Sequence, residues 1–348
     1  MKNLVFICSI LIILFKTGNV LSDNNIFNVN NIEINKENSK NNEKLVDAAF
    51  QKAFDELISR LLLKEDNKKL ADTDLKEIKK LISYYQIINQ DPNEIKLNKM
   101  KINVFFDKDR MHIFFYNRNI RYSDTINTEV ILFPLLKKDD QYFIYTKNYF
   151  YENWNEKKKN NLIQYVLPSE SIENIEKINK NKNNIFELEI SDFFKEYEID
   201  NIAFITIEIK KLSAEIFLSI IISAKKINKS LSIENKKNLI EKDFYNSIIL
   251  EINNLIGDLI KSQNLIDVRT PSFLNVEVKL NNKSNLIEFN NRLKKIGLID
   301  NFYVQQLNKD YVLVKIKYLG KINKIIKKLD DQNIKLKLIA GQWQLKII

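Results

Sequence analysis

Leu274-Asn275-Val276-Glu277-Val278-Lys279-Leu280 alternates apolar and polar residues without a break, the signature of a strand with one buried face. The residues that follow repeat the same economy. Ser284 stands where a helix would be capped, with Leu286, Phe289, Leu293 and Ile296 at helical spacing and Gly297 closing the run. Phe302–Leu307 and Tyr311–Tyr318 read as a hairpin turning through Asn308-Lys309-Asp310. Gly320 precedes a second helix carrying Ile322, Ile325, Ile326 and Leu329. Ile334, Leu336 and Leu338, then Trp343, Leu345 and Ile347, alternate again across a bulge or turn at Ala340-Gly341. The order βαββαβ is that of the ferredoxin-like split βαβ unit.

Working back from this module, Asp267–Pro271 reads as a linker, so residues 272–348 form a smaller ferredoxin-like domain and residues 43–266 a larger α/β domain. The expected class is therefore α+β, or mixed α/β. In the larger domain Leu45, Val46, Ala49, Phe50, Ala53, Phe54, Leu57, Ile58, Leu61 and Leu62 make the clearest helical stripe in the chain. A shorter helix is expected from Asp72 to Tyr85, a strand from Ile95 to Phe106, and a helix capped by Asp107 and holding Met111, Phe114 and Phe115. Glu129–Leu136 is nearly all apolar, as a central strand should be, and Gln141–Tyr145 reads as another. Helices are expected over Tyr149–Val166 and Phe186–Tyr197, with a polar loop over Ser169–Asn184. Ile202–Ile209 and Ala214–Ala224 are β-branched strands. A long amphipathic helix runs from Asn235 to Ile260.

Ahead of these lies a leader. A short basic start, Met1–Asn3, is followed by an apolar run from Leu4 to Phe15, shorter than the roughly 20 residues of a spanning helix. It has the form of a signal-peptide core, with cleavage placed after Ser22 and retention as an uncleaved N-terminal anchor as the alternative. Residues 1–22 are thus a signal peptide and 23–42 an Asn-rich lead-in, which directs the chain to the periplasm or beyond. Cys8 is the only cysteine and would leave with the leader, so neither a disulfide nor thiol chemistry is expected in the mature chain.

The formal charge is +10, and about +8 once Lys2 and Lys16 are removed. Only six of the 55 basic residues are arginine. Arginine is the better reader of phosphates and base edges, so nucleic acid is not the expected partner. A solvated lysine surface explains the charge, and peripheral contact with an anionic membrane is the further reading.

His112 is the sole histidine, and the five glycines lie at Gly18, Gly257, Gly297, Gly320 and Gly341. That leaves no Ser–His elbow, no set of zinc ligands and no phosphate-cradling loop to be written. No catalytic residue, metal or cofactor is expected. Asp139-Asp140 and Asp330-Asp331 read as solvated turn acids. The suggestive feature is aromatic: Tyr142, Phe143, Tyr145, Tyr149, Phe150, Tyr151 and Trp154 crowd one stretch. Of these Tyr149, Tyr151 and Trp154 are the candidate partner surface, set against the alternative that their rings pack inward.

Several segments carry a resemblance. They are Ala48-Ala49-Phe50 through Leu57-Ile58-Ser59-Arg60-Leu61, the strand end Val104-Phe105-Phe106-Asp107, the stretch Arg118 to Phe133, and Phe193 to Asp200 leading into Ile202-Ala203-Phe204. In these the chain resembles exported bacterial proteins of domain of unknown function family 2066. The family's glycine after the first helix is absent near Leu63-Lys64-Glu65. The resemblance implies an envelope location without implying an activity.

These readings together lead to an exported, non-catalytic binding or envelope-assembly accessory with an envelope protein as partner. The alternative is a carboxylate-dependent envelope hydrolase acting on glycan or peptide.

Overall fold

The structure is a computed structural model and describes residues 26–36, 41–88, 99–125, 127–157, 163–182, 184–185, 188, 190–194, 197, 199–236, 238–279, 284–308 and 311–348. The leader and its cleavage point lie outside the described residues, as do part of the Asn-rich lead-in and the Lys309-Asp310 half of the hairpin turn. The class is α+β. By internal contacts the chain forms two compact units. One takes the described residues up to Ala53 with Leu75–Met111, the other Phe54–Asp74 with His112–Ile348.

The elements run from β1 (Asn28–Asn35) through α1 (Asn42–Leu61), the short α2 (Lys64–Lys68), α3 (Leu75–Leu81), β2 (Ile82–Ile88) and β3 (Lys99–Phe106) to α4 (Lys108–Asn117). In the first unit β3 lies between β1 and β2 and is antiparallel to both. Its Met100, Ile102, Val104 and Phe106 point into the core with the Leu45, Ala49, Phe50 and Ala53 stripe of α1. Asp107 caps α4, its Oδ1 accepting the Arg110 amide at 2.9 Å. The helix expected over Asp72–Tyr85 is shorter than its sequence period suggested. It ends at Leu81, and Ile82–Ile88 is a strand. Tyr84, Tyr85, Ile87 and Ile88 are strand formers, and pairing with β3 supplies the backbone hydrogen bonds that a longer helix would have made.

The second unit continues with β4 (Tyr122–Ser123), β5 (Thr128–Lys138), β6 (Gln141–Phe143), α5 (Tyr149–Asn153) running into a 3-10 turn at Trp154–Lys157, β7 (Ile163–Val166) and α6 (Ile172–Lys180). After a 3-10 turn at Ile190–Phe193 come β8 (Ile202–Ile209), β9 (Ser213–Ile222), β10 (Lys225–Glu234), α7 (Glu241–Gln263) and β11 (Leu265–Ile266). A six-stranded sheet has the order β10-β9-β8-β5-β6, with β7 also on β5. Strands β5 and β8 are parallel, and β5 is buried on both faces. Val130, Leu132 and Leu136 enter one core, where Ile248, Ile249, Ile252 and Ile256 of α7 pack. Ile131, Phe133 and Leu135 enter the other, with Ile178, Phe193 and Phe194. Burying each such side chain is worth about 1.5–3 kcal/mol.

Pro134 sits in the middle of this central strand, where a missing N–H would normally break a ladder. It is tolerated because the partner on that side changes there. β7 pairs with Thr128–Ile131 and β6 with Leu136–Lys138. Asn148 fills the gap. Its Nδ2 donates to the carbonyls of Pro134 (2.8 Å), Phe143 (3.0 Å) and Ile144 (2.8 Å). Its Oδ1 accepts the amides of Phe150 and Tyr151, capping α5.

Three expectations for this stretch need correction. Tyr149–Val166 is not one helix but α5, a 3-10 turn and the strand β7. The polar stretch expected as a loop holds the nine-residue α6, capped by Ser171, whose Oγ accepts the Asn174 amide. Its Ile178 and Asn174 are buried, the latter donating to the Tyr145 hydroxyl at 3.3 Å, while Ile172 is exposed, so one apolar and one polar inward contact hold a helix that has no full apolar stripe. Of the Phe186–Tyr197 helix only the 3-10 turn is seen among the described residues. The strand β10 went unexpected. Its hairpin turns on Ser223 (φ 50°) and Ala224 (φ 63°), both left-handed. That is type I′ geometry normally signalled by Asn-Gly.

The last sheet uses β12 (Ser272–Lys279), α8 (Ser284–Lys294), β13 (Ile299–Leu307), β14 (Tyr311–Tyr318), α9 (Ile322–Asp331), β15 (Ile334–Ile339) and β16 (Gln342–Ile347). Its order is β13-β14-β12-β16-β15. The expected βαββαβ unit has four strands, the last antiparallel to the first. Here Ala340 and Gly341, both left-handed, make a tight turn, and the returning β16 inserts parallel to β12. Strands β14 and β15 therefore enclose two strands rather than one. Asp330-Asp331 ends α9 instead of lying in a turn.

Relieving the left-handed alanine costs nothing in contacts. Ala224→Gly should raise stability by up to about 1 kcal/mol in chemical denaturation, the steric relief exceeding the entropy lost by glycine. Asn148→Ala should lower it by about 2–4 kcal/mol, since it leaves several buried backbone groups without partners.

Candidate functional site

The first unit presents its apolar residues along one edge. Strand β2 has β3 on one side and, among the described residues, no partner on the other. Tyr84 is 54% exposed, Tyr85 45% and Ile87 48%. Tyr84 stacks on Phe105 with centroids 4.2 Å apart, and Tyr85 meets Phe50 of α1 edge-on at 5.2 Å. Both rings are thus held in place while one face of each remains in solvent. Beside them an open groove of about 520 Å³ is lined by Glu43, Asp47, Phe50, Lys79, Ser83 and Tyr85. The Lys79 ammonium meets Asp47 at 2.6 Å on its wall. An edge strand offers a row of unpaired N–H and C=O groups to an incoming strand. Fixed aromatics beside it offer contact area at little entropic cost. Chemically, the arrangement can bind an extended chain. The sequence signal was the run of strand-forming residues from Tyr84 to Ile88, hidden by its continuity with the helical spacing of Ile78, Leu81 and Ile82.

Tyr149, Tyr151 and Trp154 lie elsewhere, in the packing of the second unit. Trp154 is 1% exposed and donates its Nε1–H to Asn253 Oδ1 at 3.1 Å. The Tyr149 hydroxyl donates to Asn246 Oδ1 at 3.0 Å, one face of α7 thus holding both rings. Tyr151 is half-buried and bonds the Pro168 carbonyl at 2.8 Å. The three side chains do not form one exposed patch.

His112 is buried against Tyr122, with Nε2 3.0 Å from the phenol oxygen. Burial, followed by the nearby Asp124 and Asp300 carboxylates, pushes the Tyr122 phenol well above its ordinary value, so it stays neutral as a hydrogen-bonding group. Ser123 and Thr125 share a 2.8 Å hydrogen bond, and Asp124 pairs with Lys324. Among the described residues no three His, Cys, Asp or Glu side chains converge as metal ligands.

Lys261 is the buried cation of the second unit. Its Nζ donates to the carbonyls of Ser59 (2.6 Å) and Leu62 (2.7 Å) at the end of α1. Asp258 lies 3.9 Å away and accepts the Lys64 amide at the start of α2. Burial lowers the Lys261 value below that of free lysine, against the pull of Asp258, and raises that of Asp258. The pair closes one helix end and opens the next, as lysine near a helix C-terminus does.

No family model matches this mixed α+β chain, and no curated protein matches it. Among solved structures, the lipoprotein GNA1162 from Neisseria meningitidis is similar over 37% of this chain and 98% of its own, at 15% identity and a TM-score of 0.25. No described helix is long and apolar enough to cross a membrane.

Lys261→Met should destabilise the protein by about 1–3 kcal/mol at neutral pH, because two helix-end carbonyls lose their donor. The folded protein gives up this proton more readily than the unfolded chain, so stability climbs as pH rises towards the free-lysine value of 10.5. Denaturant melts across the alkaline range should show that climb flattened in the variant.

Proposed function

We propose that this chain is exported and works by binding, as an accessory to an envelope assembly whose protein partner adds a strand to β2. The supporting observation is that Tyr85 and Ile87 on one face of an edge strand and Tyr84 on the other are all about half exposed, with Tyr85 on the wall of a groove. Long apolar edges invite pairing, and folded proteins generally shield them. A partner strand would cover this one. Export rests on the basic start and apolar run of residues 1–15 with its polar break at Lys16–Asn19. Membership of domain of unknown function family 2066 is proposed on the same footing. Two of its marked positions are joints here: Arg60 near the end of α1, and Asp107 as the cap of α4.

The test places a photo-crosslinking residue at position 87 in the full chain in cells, with position 229 on the lysine-rich β10 as control. One reproducible protein adduct specific to position 87 is the expected result. Recovery of it should fall about tenfold or more in a Tyr85→Ser, Ile87→Ser variant that melts as a folded protein. Adducts absent at 87, or equal at both positions, would overturn the reading.

A further inference from the structure

The five-stranded sheet has two unlike faces. Val276, Val278, Val312, Val314, Ile316 and Leu345 point to the helix-covered side with Phe289, Leu293, Ile325 and Leu329. The alternate residues of the same strands point to solvent. Among these are Lys279 on β12, Lys315 and Lys317 on β14, Lys335 and Lys337 on β15 and Lys346 on β16. Register brings them together: Lys335 pairs with Lys346, and Lys279 with Tyr311. Among the described residues the carboxylates on this side are Glu277 and Asp300, the latter tied to Lys317 at 2.7 Å. Six lysines against two acids is a far stronger bias than the 55 to 45 of the whole chain.

Apolar groups are interleaved with these charges. Phe273 is 52% exposed and lies under the Lys315 ammonium at 4.5 Å, and Tyr303, 48% exposed, is the register partner of Lys315. Ile339 lies at the β15 end of the face.

We propose that this open face is a docking surface for an anionic lipid membrane. Its positive charges are all ammonium groups, point charges on flexible stems, suited to a diffuse negative surface rather than to the bidentate recognition that arginine performs. An open sheet face, not a pocket, fits an extended partner surface. Half-exposed aromatics beside lysines are the composition that settles at the headgroup level. This face is independent of the β2 strand, so either proposal stands or falls without the other.

The experiment is flotation of the full chain with vesicles of phosphatidylcholine alone or with about one third phosphatidylglycerol, at low salt and at about 0.5 M, where the Debye length is only a few ångströms. The chain should partition into the anionic vesicles in preference to the neutral ones, and salt should remove that preference. Each lysine at such a surface is worth about fivefold. Lys335→Glu, Lys337→Glu and Lys346→Glu together should therefore lower anionic partitioning by more than about a hundredfold, since the three lost lysines alone account for that factor and the new carboxylates add repulsion. The matching lysine-to-glutamine variant should give a smaller loss, and serves if the reversals unfold the sheet. Reversing Lys225, Lys226 and Lys229 on β10, which alters net charge equally, should leave binding nearly intact. Equal partitioning into neutral vesicles, or equal loss in both reversals, would overturn the proposal. So would lysine-dependent binding to a single-stranded oligonucleotide or an acidic peptide in place of vesicles.

Discussion

Burial of β5 on both of its faces is the constraint from which the second unit follows. A strand reading Val130-Ile131-Leu132-Phe133-Pro134-Leu135-Leu136 has no side to offer water. It therefore requires a layer above and a layer below, and α7 provides one while α6 with Phe193 and Phe194 provides the other. Parallel pairing with β8 fits the same demand, because parallel strands are found where both faces are covered. The long apolar stripe of α7 and the aromatic packing of Trp154 and Phe150 answer to that one strand.

Polar groups inside this apolar frame act as fasteners. Asn148 spends every donor and acceptor it has on the place where β5 exchanges one neighbour for another. Lys261 closes the end of α1 from within α7, at a cost in desolvation that appears as its lowered proton affinity. Tyr149 and Trp154 clamp onto Asn246 and Asn253 two helical turns apart. Lys261, Tyr149 and Trp154 join segments 97 to 202 residues apart while Asn148 works within its own neighbourhood, and none announces itself in the sequence. An asparagine among tyrosines looks like loop, and a lysine at a helix end looks like solvent.

That difference explains how much of the fold was legible. Period is a local property, so α1, β3, α4, β5, β8, β9 and the alternation of β12 and β14 could be read directly. Choices made by tertiary contact could not. Ile82–Ile88 left its helical spacing because β3 offered it a ladder, and β10 escaped notice because Ser223-Ala224 is a poor advertisement for a hairpin. The final strand's direction depended on whether Ala340-Gly341 bulged or turned. As for the site, the aromatic cluster around Tyr149 marked a core, since aromatic density alone does not say which way rings point. The exposed edge at Tyr84 and Tyr85 lay in a segment whose spacing had pointed to a helix.

The left-handed turns at Asp139-Asp140 and Ser223-Ala224 carry one more implication. Serine and alanine have little preference for the left-handed conformation they adopt, whereas aspartate visits it more readily, so the Ser223-Ala224 reversal leans on the pairing of β9 with β10 rather than on its own residues. A sequence of 348 residues with only five glycines thus leaves some of its reversals to be held by the strands they join.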